Sequence, residues 1–121
     1  MPVRSLSSSV LKWPDRQAVD AAVRRWAEEA IRGPQNVLRI GYFGSYARGD
    51  WGVGSDLDLV MVVEASEEPF ERRSAPWDTS GLPVPADLLV YTRREWEALP
   101  HGTRFGWMLR TETVWVYLRA A

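Results

Sequence analysis

The sequence predicts a single α/β domain, and three observations lead to this prediction. One stretch near the start carries apolar residues at helical spacing with charged residues between them. Several later segments are short, apolar and rich in valine and leucine, as buried strands are. Glycine, proline and serine separate these segments and predict turns. The 121 residues are enough to bury one core but not two, so we expect one domain.

The predicted domain occupies residues 13–121 and follows a polar, serine-rich tail at residues 1–12. Pro14 and Asp15 open an amphipathic helix, which Gly33 and Pro34 stop. The strands are predicted at 37–43, 56–63, 84–91 and 114–118.

Two short helices are predicted after the third strand. Thr92 and Glu95 form a capping-box pattern that opens the first, which Pro100 ends. The second helix is expected at 104–110. Residues 64–83 mix Glu, Pro, Ser and Gly, so we predict a surface connection with one short helical turn.

Composition excludes several classes of function. The net charge of -1 lacks the basic field of a protein that grips long nucleic acid. The absence of cysteine excludes disulfides, zinc–thiolate sites and thiol catalysis. No apolar run approaches the roughly 20 residues that span a bilayer, and the start has no hydrophobic signal core. We therefore expect a cytoplasmic protein with no membrane partner.

Three carboxylates lie in or at apolar strands, whereas most of the others lie on helix faces or in loops. Asp56 and Asp58 are two residues apart in a predicted strand, so both project to the same face, roughly 6–7 Å apart. Asp87 lies inside the next apolar strand. If these strands are neighbours, the three carboxylates form a cluster that repels itself unless a hard cation such as Mg²⁺ or Mn²⁺ lies between them.

Each aspartate also has a simpler interpretation. Asp56 follows Gly54 and Ser55 and could be a turn residue, and Asp87 could pair with an arginine. The combination of all three with the glycine turn after the first strand favours a site.

That turn begins at Gly44 and Ser45, where a buried strand ends abruptly. A short helix starting there would present free backbone N–H groups, and glycine would allow a phosphate to approach closely. The Ser45 hydroxyl adds a donor, and Arg48 could reach the same phosphates. A Gly-Ser turn alone is weak evidence, because most such turns only redirect the chain.

The combined pattern closely resembles the signature of the DNA polymerase beta-like nucleotidyltransferase superfamily, and its minimal (MNT) members match best. The residues that carry the resemblance are Gly-Ser-Tyr-Ala-Arg-Gly-Asp at 44–50, Ser-Asp-Leu-Asp-Leu at 55–59 and Ala-Asp-Leu-Leu-Val at 86–90. The resemblance covers about 37–118 and implies a mixed sheet of four or five strands flanked by helices. The long proline-containing segment before Asp87 departs from the shortest members.

The resemblance also implies roles for the site residues. Asp56 and Asp58 would hold two magnesium ions, and Asp87 would bind one of them and help to deprotonate the acceptor hydroxyl. Gly44 and Ser45 would bind the triphosphate of a nucleoside triphosphate, with ATP expected. The reaction would move a nucleoside monophosphate, expected to be AMP, onto an acceptor hydroxyl.

Minimal members of this family act with a separately encoded helical HEPN protein, a toxin that the MNT protein adenylylates as its antitoxin. Because the chain has no length for an acceptor domain, we expect the same arrangement here. The alternatives are a non-catalytic antitoxin that neutralises its partner by contact, and a nucleotidyltransferase that modifies a small molecule. Oligomeric state, including a homo-oligomer, stays open.

A few other side chains invite functional interpretations. Trp26, Trp96, Trp107 and Trp115 fall in predicted helices or strands and are interpreted as core residues. Trp51 lies between the motif halves and could contact a base or a partner. The only histidine, His101, is placed in a loop. The pairs Arg72-Arg73 and Arg93-Arg94 are interpreted as solvated surface.

Overall fold

The computed structural model describes residues 13–120. The predicted tail at 1–12 therefore lies outside the described residues. The described elements are, in chain order, α1 (Arg16–Ala30), β1 (Val37–Phe43), α2 (Ser45–Arg48), β2 (Leu57–Val63), a 3₁₀ turn (Phe70–Arg72), β3 (Ala86–Thr92), α3 (Arg93–Glu97), α4 (Arg104–Thr111) and β4 (Val114–Leu118).

The four strands form one mixed sheet in the order β3–β2–β1–β4. β1 pairs antiparallel with both β2 and β4, whereas β2 and β3 run parallel. The predicted α/β fold with a mixed sheet of four or five strands is thus confirmed, with four strands in the described residues. The neighbouring position of β2 and β3, which the aspartate cluster requires, is also present.

Helix α1 covers one face of the sheet. Asp15 caps it by accepting a hydrogen bond from the backbone N–H of Ala18 at 2.9 Å. The apolar side of the helix packs on inward-facing residues of the strands, and these contacts form two adjoining core clusters. The fully buried members of the clusters are Val19, Val23, Ile40, Tyr42, Tyr46, Leu57, Leu59, Met61, Val63 and Val90.

Helices α3 and α4 cover part of the opposite face. A third core cluster lies there and consists of Phe43, Val60, Val62, Trp96 and Leu109. Asp58 lies on this same face, because it alternates with the α1-facing residues Leu57 and Leu59. The sheet therefore has one face devoted to packing and one that is partly open.

Several element boundaries differ from the sequence prediction, and the ends of β3 at Thr92 and of α4 at Thr111 each lie one residue later than predicted. β2 begins at Leu57 and β3 at Ala86, later than predicted, because Pro85 has no N–H for a ladder. The Pro85 carbonyl still accepts from the Leu57 N–H at 2.8 Å and aligns the two strands. α3 ends at Glu97 instead of Leu99, since the residue before Pro100 is disfavoured in a helical conformation.

Side-chain contacts at several points tie residues 64–85, the segment between β2 and β3, to the rest of the domain. The Trp77 indole N–H donates to the Ala30 carbonyl at 3.1 Å, and Arg73 pairs with Glu95 at the start of α3. The Arg73 side chain is only 10% exposed, so its interpretation as solvated surface was wrong. The predicted helical turn is confirmed as the 3₁₀ turn Phe70–Arg72.

Between residues 13 and 120, no helix has both the length and the apolar character needed to cross a bilayer.

Candidate active site

Asp58 and Asp87 are direct neighbours in the sheet. They occupy the same level of the parallel β2–β3 ladder, so their side chains project from adjacent positions on one face. Asp58 is half-buried, whereas Asp87 is exposed. Asp56 lies immediately before β2 and is exposed as well. The register of β2 and β3 thus places Asp58 and Asp87 side by side. Asp56 lies next to the start of β2, two residues before Asp58.

The Asp58 carboxyl is electrostatically unfavourable in its charged form. Burial raises its pKa above the usual value, and the negative charges of Asp87 and Asp56 raise it further, while the positive charge of Arg48 lowers it. The charges of both other aspartates therefore act on Asp58. None of the three aspartates forms an ion pair with an arginine within residues 13–120, so the alternative that Asp87 has an arginine partner finds no support there.

Gly44 brings the backbone against the Asp58 carboxylate. Its φ of 79° and ψ of -150° belong to a region that is essentially restricted to glycine. A Cβ atom at this position would collide with Oδ2 of Asp58. Glycine thus suits position 44 for two reasons: it adopts this backbone conformation, and it leaves space for the Asp58 carboxylate.

Ser45 begins the single turn of α2 directly after this glycine, and the Arg48 N–H donates to the Gly44 carbonyl at 2.9 Å. The guanidinium of Arg48 bonds Asp50 at 3.1 Å and Glu112 at 3.5 Å. Its side chain is therefore held toward the end of α4 in this structure. Its positive charge still lowers the pKa of Asp58. The binding of a phosphate by Arg48 stays a prediction.

The donor chemistry of the site suits a hard divalent cation. Carboxylate oxygens are the preferred ligands of Mg²⁺ and Mn²⁺, and Asp58 is a half-buried carboxylate whose pKa is raised by burial and by the charges of Asp87 and Asp56. Among residues 13–120, however, no three acidic, histidine or cysteine side chains lie close enough to hold a metal as they stand. The predicted metal roles of Asp56, Asp58 and Asp87 thus stay predictions that the donor chemistry supports.

A cleft of about 560 Å³ opens beside the two strand aspartates, which is the size of a small-molecule site. Asp58 and Asp87 lie in its lining. The segment 64–85 contributes Phe70, Glu71, Ser74, Trp77 and Thr79, and the sheet and α4 contribute Phe43, Ala86, Leu88, Leu89 and Phe105. All three phenylalanines of the chain line this cleft.

Sequence reasoning missed these aromatic residues. Phe43 directly precedes Gly44, so its place beside the site could have been inferred from the motif. Phe70 and Phe105 are far away in sequence, and no local pattern marks them. Only the tertiary fold brings them to the aspartates.

The tryptophan predictions had mixed outcomes. Trp96 is buried, but Trp107 is 53% exposed on the outer side of α4, so its interpretation as a core residue was wrong. Trp51 stacks on Tyr46, with ring centroids 5.6 Å apart and planes at 7°, which gives it a packing role in its loop. His101 lies in an exposed turn, as predicted.

Comparisons with known proteins bear on the family and the fold of the chain. The family described as "Nucleotidyltransferase domain" matches residues 24–112, well over half of the chain. A solved structure from Sulfolobus solfataricus, whose assignment as a nucleotidyltransferase is provisional, is similar with a TM-score of 0.62 and 22% identity, over 86% of this chain and 84% of that one. No curated protein matches the sequence significantly.

A toxin–antitoxin structure solved with AMP-PNP is similar with a TM-score of 0.50 and 14% identity, over 79% of this chain and 73% of that one. At these identities both structures support the fold alone. The family match extends from α1 to the end of α4 and includes Gly44, Ser45 and all three aspartates. The chain therefore belongs to the nucleotidyltransferase domain family.

Proposed function

We propose that this protein is a metal-dependent nucleotidyltransferase that moves a nucleoside monophosphate, AMP in the first instance, from ATP to an acceptor hydroxyl. The observation that carries the proposal is the side-by-side register of Asp58 and Asp87, with Gly44 packed against the Asp58 carboxylate. The catalytic unit is the domain at residues 13–121, with 1–12 as a polar tail outside it. A reaction that consumes ATP favours a cytoplasmic location.

In this proposal the carboxylates of Asp56 and Asp58 hold two magnesium ions, and Asp87 binds one of them. Divalent metal in such a site supplies charge neutralisation for the attacking and leaving oxygens. The backbone N–H groups at Gly44 and Ser45 position the triphosphate, and Arg48 turns from Asp50 and Glu112 toward it. These groups orient the α-phosphorus in line with the acceptor.

Asp87 receives the proton of the acceptor hydroxyl as its oxygen attacks the α-phosphorus. The bond between the acceptor oxygen and the α-phosphorus forms, and the bond between the α-phosphorus and the bridging oxygen of pyrophosphate breaks. Pyrophosphate leaves with the electron pair of that bond. Asp87 suits this role because it is the exposed member of the strand pair and thus accessible to an incoming acceptor.

The proposed acceptor is a hydroxyl on a HEPN-type toxin protein, with this chain as the antitoxin. Two observations support the choice. The motif resembles that of the minimal nucleotidyltransferases that act on such partners, and a similar solved structure is a toxin–antitoxin assembly with a nucleotide analogue. Modification of a small molecule is the less favoured catalytic alternative.

Label transfer tests this function. The protein is purified with whatever binds it and incubated with Mg²⁺ and each of the four nucleoside triphosphates labelled at the α-phosphorus. We expect ATP to label a bound protein, and Asp58→Asn to abolish the labelling. Stable neutralisation of a toxic partner by Asp58→Asn, with no label transferred by the wild type, would show a binding-only antitoxin instead.

A further inference from the structure

The segment 64–85 has no role in the chemistry described above, yet it forms one wall of the cleft that holds Asp58 and Asp87. We propose that this segment and α4 together form a binding site for the base of the nucleotide, in which Phe70 and Phe105 provide aromatic surfaces for stacking. The inference rests on the proposed function, since it assumes that the triphosphate lies at the aspartates.

Phe105 lies on the α4 side of the cleft. Its ring contacts Phe43 edge-to-face, with centroids 6.0 Å apart and planes at 84°, and Phe43 is paired with Asp58 in the β1–β2 ladder. Phe105 is nevertheless 44% exposed. A buried ring therefore fixes the position of an exposed one, close to the carboxylates, which is the arrangement expected of a preformed stacking surface.

Phe70 lies on the wall of the cleft that the segment 64–85 forms, and neighbouring side chains hold its ring as well. Its ring packs on Tyr91 of β3 with centroids 5.2 Å apart, and the guanidinium carbon of Arg73 lies 5.7 Å from its centroid. Arg73 is anchored in turn by Glu95, with Nη2 to Oε2 at 3.0 Å, and by the carbonyl of Glu68 at 2.9 Å. Phe70 is still 38% exposed.

The lining of the cleft offers both kinds of group that a nucleotide needs. A nucleoside triphosphate is anionic and metal-binding at one end and flat and aromatic at the other. The cleft likewise has the carboxylates of Asp58 and Asp87 in its lining, and its aromatic side chains pack on the same sheet. At about 560 Å³ it fits a small molecule, whereas a protein acceptor needs only access to the exposed Asp87.

The test compares two Mg²⁺-bound ligands that share a triphosphate but differ in the base. Dissociation constants are measured for ATP and for inorganic tripolyphosphate, with wild type, Phe105→Ala, Phe105→Leu and Phe105→Tyr. Trp107→Ala is the matched control, because Trp107 is an exposed aromatic residue on the same helix and does not line the cleft. Melting temperatures show whether each variant is folded.

We expect wild type to bind ATP more tightly than tripolyphosphate. Phe105→Ala and Phe105→Leu should weaken ATP binding about tenfold to a hundredfold and leave tripolyphosphate binding unchanged. Phe105→Tyr and Trp107→Ala should behave as wild type. Phe70→Ala should reproduce the selective loss from the opposite wall.

Three results would overturn the inference. Equal wild-type affinity for both ligands would show that the base is not bound, while the proposed function would stand. Unchanged ATP affinity in Phe105→Ala with lost label transfer would assign the aromatic walls to the acceptor. Failure of wild type to bind either ligand would reject the proposed function together with the inference.

Discussion

Gly44 combines a backbone conformation that only glycine adopts with direct contact to a candidate metal ligand. Gly49 offers a comparison, since it also has a positive φ, of 89°, but a Cβ there would meet nothing within 4 Å. The two glycines thus separate the cost of backbone strain from the cost of displacing Asp58. Substitution of each by alanine gives a matched pair.

We expect Gly49→Ala to lower the free energy of unfolding by about 1 kcal/mol, the cost of a left-handed conformation. Gly44→Ala should lower it by about 2–4 kcal/mol, because a collision with Asp58 is added to strain. It should also reduce label transfer more than tenfold, since the carboxylate must move. Urea unfolding and the transfer assay measure both effects, and equal losses in the two variants would refute the assignment.

We expect the ionised Asp58 to lower the stability of the metal-free protein, although the proposed function requires it. Because the pKa of Asp58 is raised in the folded chain, the ionised carboxylate destabilises the fold. The stability that the protonated carboxyl provides is lost as the pH rises through the folded pKa. At neutral pH without metal, Asp58→Asn should therefore stabilise the protein by about 1 kcal/mol, or about 4 °C in melting temperature.

Mg²⁺ should make the wild type more stable than Asp58→Asn. It should raise the melting temperature of the wild type by mass action and leave that of Asp58→Asn unchanged. Glu28→Gln removes the same charge from the exposed face of α1 and is the control that should still respond to Mg²⁺. A thermal shift in Asp58→Asn equal to that of the wild type would exclude Asp58 as a ligand.

At the scale of elements, the Arg73–Glu95 pair connects the segment 64–85 to the start of α3. Arg73 lowers the pKa of Glu95 below its usual value, so the pair stabilises the fold at neutral pH. That contribution is fully present above the ordinary glutamate pKa and is lost as the pH falls through the lowered one.

Arg73→Gln should lower the free energy of unfolding by about 1–2 kcal/mol at pH 7, since Glu95 is partly exposed and solvent weakens the pair. The difference from wild type should shrink toward pH 3. The neighbouring Arg72 is exposed, and Arg72→Gln should change stability by less than about 0.5 kcal/mol. Urea unfolding at both pH values tests this, and equal effects of the two substitutions would contradict it.

The elements themselves were largely predictable from local patterns. The capping box is present as expected, with the Thr92 side chain accepting from the Glu95 N–H at 3.2 Å and Glu95 accepting from the Thr92 N–H at 2.9 Å. Strand alternation, a short-range rule, led to the prediction of a carboxylate cluster. The register that sets Asp87 beside Asp58 is a contact between strands that are distant in sequence. Phe70, Arg73 and Phe105 were not predictable, since their roles depend on contacts between segments distant in sequence.

At the scale of the whole molecule, most residues that stabilise the fold and the aspartates of the candidate site lie on opposite faces of the sheet. The α1 face contains most fully buried residues, whereas Asp58 and Asp87 project from the opposite face. A substitution on the α1 side should therefore affect folding without changing how the folded protein binds substrate.

Val23→Ala tests this separation, because Val23 is fully buried under α1. We expect a loss of about 2 kcal/mol in the free energy of unfolding from lost burial and the resulting cavity. The KM for ATP, measured where the variant is folded, should equal that of the wild type. A changed KM would show that the two faces are coupled through the sheet.

The most direct test of nucleotidyl transfer compares two positions of the label in the same nucleotide. The protein and its bound acceptor are incubated with Mg²⁺ and ATP labelled either at the α-phosphorus or at the γ-phosphorus. We predict that the α label appears on the acceptor and the γ label in pyrophosphate, and that Asp58→Asn prevents both. Label from the γ position on the acceptor, or tight ATP binding with no transfer from either position, would contradict the account.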